Sequence, residues 1–215
     1  MRQKREIADN SNGVSKKIHQ LITKIDKQPQ NSENYLNLAT YLIEQGSNDQ
    51  ATELLEKAKK LVTHPQDLDY DLAVCYYLQG KFDLALKILN QIPNDDLVLY
   101  QKALVFFKVG QSQKALAYAL TIKNVDAKVL ELIGDIWLSL GKTQEAESAY
   151  KKIDTEKRSA KINFMLGITV LARNRQEAEK YLTESKKQDH KVFEQEQKKY
   201  ASVLKLVNDA RKKND

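Results

Sequence analysis

Proline, glycine and cysteine are scarce in this 215-residue chain, and each scarcity removes a class of structure. Three prolines (Pro29, Pro65, Pro93) and seven glycines leave too little turn chemistry for a β-rich fold. A single cysteine, Cys75, cannot close an internal disulfide. With only His19, His64 and His190 beside it there is no ligand set at zinc spacing, so no metal is expected. No run approaches the ~18 apolar residues of a membrane span. The basic start (Arg2, Lys4, Arg5) leads into the polar segment Asp9–Gly13 instead of an apolar core, so no secretory signal is readable. A reducing, cytoplasmic setting is the expectation. The chain also lacks a phosphate-cradling glycine loop, a G-x-S-x-G elbow and an H-E-x-x-H pair, so no enzyme and no cofactor are expected. The histidines read as surface or capping residues.

What is present favours helices. Leu, Ala, Lys, Glu and Gln are abundant, and 41% hydrophobic with 30% charged residues is a balance that folds, so the class expectation is all-α. The net charge of +6 is unevenly spread: +4 over residues 1–30, −5 over 31–150, +3 over 151–185 and +4 over 186–215. The basic character therefore belongs to the ends.

The decisive feature is a glycine followed five residues later by alanine: Gly46/Ala51, Gly80/Ala85, Gly110/Ala115 and Gly141/Ala146, the glycines standing 34, 30 and 31 residues apart. A period in this range marks a stacked supersecondary unit. An amphipathic run lies on each side of every glycine, so the unit is helix, tight turn, helix. Glycine closes the turn because positive φ costs it nothing. Alanine lets the second helix approach the first near the lower end of the usual ~8–10 Å separation. A fifth, weaker unit carries Leu166, Gly167, Val170 and Ala178, with Asn174 in the glycine's place, where its tolerance of the left-handed conformation is expected to preserve the turn.

These residues resemble the tetratricopeptide repeat. The first unit supplies Tyr35, Leu38, Ala39, Leu42, Ala51, Leu55, Ala58 and Pro65; the second Leu72, Ala73, Tyr76, Ala85, Leu89, Ile92 and Pro93, with Asp69 for the opening aromatic. The third supplies Leu99, Ala103, Phe106, Ala115, Ala119 and Ile122, and the fourth Leu130, Ile133, Gly134, Trp137, Ala146, Tyr150 and Ile153. The resemblance implies a right-handed α-solenoid of about five antiparallel helix pairs over residues 31–185. A basic tail and capping helix would precede it in 1–30, on the face Val14, Ile18, Leu21, Ile22 and Ile25. A C-terminal capping helix would follow in 186–215, on Tyr200, Val203, Leu204, Val207 and Ala210. Trp137, Tyr76 and Phe106 occupy the intra-repeat aromatic place and read as core.

The family's ligand groove is implied on the first helix of each unit. Its rows read Leu36/Thr40/Ile43, Tyr70/Val74/Tyr77, Tyr100/Leu104/Phe107 and Glu131/Asp135/Leu138, with Asp71 beside the second. The family's carboxylate clamp of Lys, Asn and Arg is missing, because Leu36, Thr40, Asp71 and Gln101 stand at those groove places. The expected activity is that of an adaptor or scaffold for a protein or peptide ligand with apolar anchors and Lys or Arg between them. Alternatives are self-association through the C-terminal helix into a homo-oligomer, or a nucleic-acid-binding or regulatory role for Lys16–Lys17, Lys198–Lys199 and Arg211–Lys213. Nucleic acid is disfavoured because acids interleave those charges and no aromatic does.

Overall fold

A computed structural model describes the backbone of residues 2–212 and the side chains of residues 13–202 and of Lys205. The expected apolar positions Val203, Leu204, Val207 and Ala210 and the basic groups of Arg2, Lys4, Arg5 and Arg211–Lys213 lie outside the described side chains. Twelve α-helices and two short 3₁₀ turns occur among the described residues. They are α1 (Arg2–Lys27), α2 (Ser32–Glu44), α3 (Asn48–Ala58), α4 (Asp69–Leu78), α5 (Phe82–Leu89), α6 (Asp96–Lys108), α7 (Ser112–Leu120), α8 (Ala127–Ser139), α9 (Thr143–Lys151), α10 (Ala160–Val170), α11 (Arg175–Gln188) and α12 (His190–Lys212). No strand is present among them.

The hinge glycines adopt positive φ, 74° to 76°, and no other residue does so among the described residues. Each ends its helix with the same two hydrogen bonds. The glycine N–H donates to the carbonyl three residues back (Ile43, Tyr77, Phe107, Leu138), and the next N–H to the carbonyl five residues back (Leu42, Tyr76, Phe106, Trp137) at 2.8–2.9 Å. This Schellman closure satisfies carbonyls that a helix end leaves orphaned. The fifth unit departs from the expectation. Asn174 is extended (φ −144°) and caps α11, its Oδ1 accepting from the Glu177 N–H at 3.1 Å. Its side chain there accepts an orphaned N–H, so asparagine serves as an N-cap instead of a left-handed hinge.

Other helix starts are set by similar chemistry. Asn31 accepts from Glu33 N–H, Asp126 from Val129 N–H and Ser159 from Ile162 N–H, each a short polar side chain at an N-cap. Asp189 accepts from the N–H groups of Lys191 and Val192 at the start of α12.

The chain divides into two compact units, Met1–Val105 and Phe106–Asp215. In unit 1, α1 packs on α2, α2 on α3, α3 on α4 and α4 on α5, and the first helices α2 and α4 also touch. One core gathers Leu21, Tyr35, Leu38, Ala39, Leu42, Ala51, Leu55 and Leu72, with Ile18 and Ile25 of α1 against it. A second gathers Ala73, Ala85, Leu89, Val98 and Val105. Lys59 pairs with Asp69, which accounts for the acid at the opening-aromatic place. In unit 2, α7 packs on α8, α8 on α9, α9 on α10 and α10 on α11, while α12 lies on α10 and α11. Ala146, Tyr150, Ile153, Ile162 and Leu166 form its core, and Phe193 meets Phe164 edge to face at 5.6 Å.

All five repeat alanines (Ala51, Ala85, Ala115, Ala146, Ala178) are completely buried, as close helix crossing requires. Gly134 shows how close the approach becomes, because a Cβ there would lie 2.4 Å from the Tyr150 ring.

Candidate protein-interaction surface

Unit 1 holds six of the ten groove residues read from the sequence. α4 turns Leu72, Ala73 and Cys75 into the core, which leaves Tyr70, Asp71, Val74 and Tyr77 half-buried on its remaining face. Burial pushes the Cys75 thiol up to about 11, so it is an inert packing residue. Tyr77 packs against Phe82 with ring centroids 5.9 Å apart and tilted by 54°. Tyr70 is pushed up to about 12 by burial, then by the charges of Asp71 and Asp95 and by Tyr100, so these groups share one locality. Among the described residues, Asp71 accepts no hydrogen bond from another side chain and makes no ion pair. Burial raises its pKa, and its own backbone N–H offsets only part of that.

α6 adds Tyr100 and Leu104, both half-buried, while Val98, Gln101, Lys102 and Val105 go inside. Gln101 corrects the sequence reading, for it is only 4% exposed and belongs to the interior, not to a groove-facing place. Lys102 is likewise buried, its Nζ donating to Asn94 Oδ1 at 2.7 Å, and burial lowers its pKa. The face also contains a residue absent from the sequence reading. Leu97 is 61% exposed and stands three residues before Tyr100 and seven before Leu104, so one more step back along the helical row would have found it.

Unit 2 holds Phe107, Glu131, Asp135 and Leu138, all half-buried. Its two acids are not open to a partner's cations in the way the sequence suggested. Lys161 of α10 reaches across to both, Nζ lying 2.7 Å from Glu131 Oε1 and 2.7 Å from Asp135 Oδ2. The Tyr150 hydroxyl donates to Asp135 Oδ1 at 2.6 Å. Burial pulls the Lys161 pKa down, but Asp135 and Glu131 override it and hold the ammonium above its ordinary value. The Tyr150 phenol is raised by burial and by Asp135. Thirteen residues separate Lys161 from Asn174, as thirteen separate Leu97 from Gly110. Register therefore gives unit 2 a lysine–carboxylate triad where unit 1 carries Leu97, Tyr70 and Val74.

The first pair offers Leu36 and Ile43 half-buried and Thr40 exposed, so no cation stands at the clamp places. Tyr76, Phe106 and Trp137 are half-buried rather than fully enclosed. Tyr76 donates to Glu56 Oε1 at 2.5 Å, and Phe106 stacks on Tyr118 at 5.3 Å. No helix among the described residues is long and apolar enough to cross a membrane.

Residues 42–105 match the sequence model of the tetratricopeptide repeat. A TPR repeat-containing protein of Methanocaldococcus jannaschii is 30% identical over 142 residues, covering 61% of this chain and 24% of the relative. The chain thus spans about a quarter of that relative's length. Among solved structures, a chain of the APC/C hetero-tetramer Cut9–Hcn1 superposes with a TM-score of 0.71 at 18% identity, over 86% of this chain and 40% of that one. YrrB, described as a TPR protein with an unusual peptide-binding site, superposes with a TM-score of 0.56 at 19% identity, over 83% of this chain and 97% of its own. At these identities the structural likeness is one of fold. Four glycine hinges closed by identical hydrogen bonds, five buried alanines at the helix crossings and these matches lead to one conclusion: the described residues fold as tetratricopeptide-repeat proteins do, with the repeat itself matched over residues 42–105.

Proposed function

We propose that the chain is a non-enzymatic, cytoplasmic adaptor that holds a protein or peptide segment on the first-helix face of unit 1. The observation that carries this reading is the coexistence there of exposed Leu97, half-buried Tyr70, Val74, Tyr77, Tyr100 and Leu104, and the unpaired Asp71 carboxylate. Tyrosine and leucine side chains that stay partly in water supply area for apolar anchors. A half-buried carboxylate with no counter-ion favours a partner that brings Lys or Arg between those anchors. Unit 2 contributes less to such charge recognition, since Lys161 already neutralises Glu131 and Asp135.

Panning a random peptide library on the full chain tests the reading. Enriched peptides are expected to carry an aromatic or aliphatic residue beside Lys or Arg. Leu97→Asp is expected to weaken them at least about tenfold and Asp71→Asn severalfold, with helicity unchanged. Enrichment of acidic peptides, or binding indifferent to both substitutions, would defeat the proposal.

A further inference from the structure

Unit 2 has a second apolar surface, independent of the first-helix face. Between α7 and α9, over α8, lies an open cleft of about 560 Å³. Ile133 and Trp137 of α8 line its floor, and Leu120 and Val125 stand at its edge, 59% and 49% exposed. One leucine or valine in water needs no explanation, but two converging with an indole on a concave surface mark a docking site. The dimensions suit a helix, because α9 and its C-cap line the cleft from Gln144 to Lys152, about 12 Å and room for two helical turns.

Charge gives the occupant a direction. Glu145 sits in the first turn of α9 and Lys152 at its C-cap, both lining the cleft and exposed, and neither makes an ion pair among the described residues. Seven residues apart, they share one face of α9 about 10 Å from each other. A helix lying antiparallel to α9 would set its first turn against Lys152 and its last turn against Glu145. Acid at the N-terminus and base at the C-terminus are also what a helix's own dipole favours, so both requirements select the same sequence polarity. We infer that this cleft receives a short amphipathic helix of a partner protein, antiparallel to α9, with leucine-type anchors over Trp137, acidic first turn and basic last turn.

Trp137 is the chain's only tryptophan and therefore a built-in reporter. The probe is a synthetic helical peptide of roughly 14 residues, with leucines at i, i+3 and i+7 and an acid seven positions before a base. Its twin has the two charges exchanged. Titrated into the full chain, the probe is expected to shift Trp137 emission to the blue and to reduce its acrylamide quenching with micromolar saturation. Leu120→Glu is expected to weaken binding at least about tenfold, with Val125→Asp as a second variant should the first lose helicity. The exchanged twin should bind severalfold more weakly. Leu97→Asp in unit 1 should leave the signal unchanged, which separates this site from the one proposed above. No saturable change up to about 1 mM peptide, indifference to both cleft substitutions, or equal binding of the twin would overturn the inference. So would a dimer of the full chain, seen in sedimentation and dissociated by Leu120→Glu, because the cleft would then hold a second copy.

Discussion

Units 1 and 2 solve one packing problem with different side chains, and the difference reaches the surface. Seven residues before the hinge, unit 1 places Ala39 and Ala73, which share cores with Leu55 and Leu89, each four residues after its repeat alanine. At the same places unit 2 has Gly134 and Tyr150, with the ring so close that no Cβ fits. The smaller first-helix residue accommodates the larger second-helix one, so helix approach is preserved at close-packed density. A tyrosine, unlike leucine, brings a hydroxyl that must be satisfied when buried. That hydroxyl donates to Asp135, and Asp135 joins Glu131 on Lys161. Unit 1 has no such network among the described residues, and its corresponding face carries Leu97, Tyr70 and Val74 beside an unpaired Asp71. One fold thus presents an apolar face in one unit and an ion network in the other.

The strongest way to break the comparison is to exchange its central pair. Gly134→Val should cost about 3 kcal/mol, because branched carbons there collide with a fully buried ring, and urea unfolding followed by Trp137 fluorescence measures it. Ala73→Val in unit 1, where leucine stands opposite, should cost less. Equal losses would refute the view that the Gly–Tyr pair is tighter.

Lys161→Met removes the cation from two half-buried carboxylates and should lower stability by about 1–2 kcal/mol at pH 7. The chemical-denaturation midpoint at pH 7 measures the loss, and an unchanged midpoint would show that the ion network adds nothing to stability.

Gly80→Ala forces a Cβ into a left-handed hinge and should cost about 1 kcal/mol. Asn174→Gly should cost only a few tenths, and Asn174→Ala about 1 kcal/mol, the pattern of an N-cap. Stabilisation by Asn174→Gly in thermal unfolding would instead restore the left-handed hinge expected from the sequence.

A further small effect has the opposite sign. Asp71 has a folded pKa raised by burial, so ionisation opposes folding as pH rises from about 4 through that raised value. Asp71→Asn should accordingly stabilise unit 1 at pH 7 by about 0.5 kcal/mol and have less effect near pH 4, measured by circular dichroism during urea unfolding.

Much of this was legible beforehand because it is periodic. Gly46, Gly80, Gly110 and Gly141 announce themselves by spacing, and the alanine five positions on follows from the same count. The half-buried state of Tyr70, Val74, Tyr77, Tyr100 and Leu104 follows from their helical row. What was not legible is any role that depends on a neighbour from another repeat. Glu131 and Asp135 looked like acids awaiting a partner until Lys161, 26 residues beyond Asp135, was placed against them. Gln101 looked outward by register, yet it is buried with Lys102 among Val98 and Val105. Trp137 read as core, but the ring also faces the cleft beside Leu120 and Val125.

The sequence by itself determined the helix pairs, their hinges and the small residues at their crossings, because helix period, positive φ and steric size are local properties carried by one residue or one turn. Tertiary structure alone decided which charges are already paired, which aromatics remain half in water and where a cleft opens between α7 and α9. Those outcomes depend on side chains distant in sequence meeting across packed helices, and distance along the chain says nothing about whether Coulomb attraction and burial will act between them.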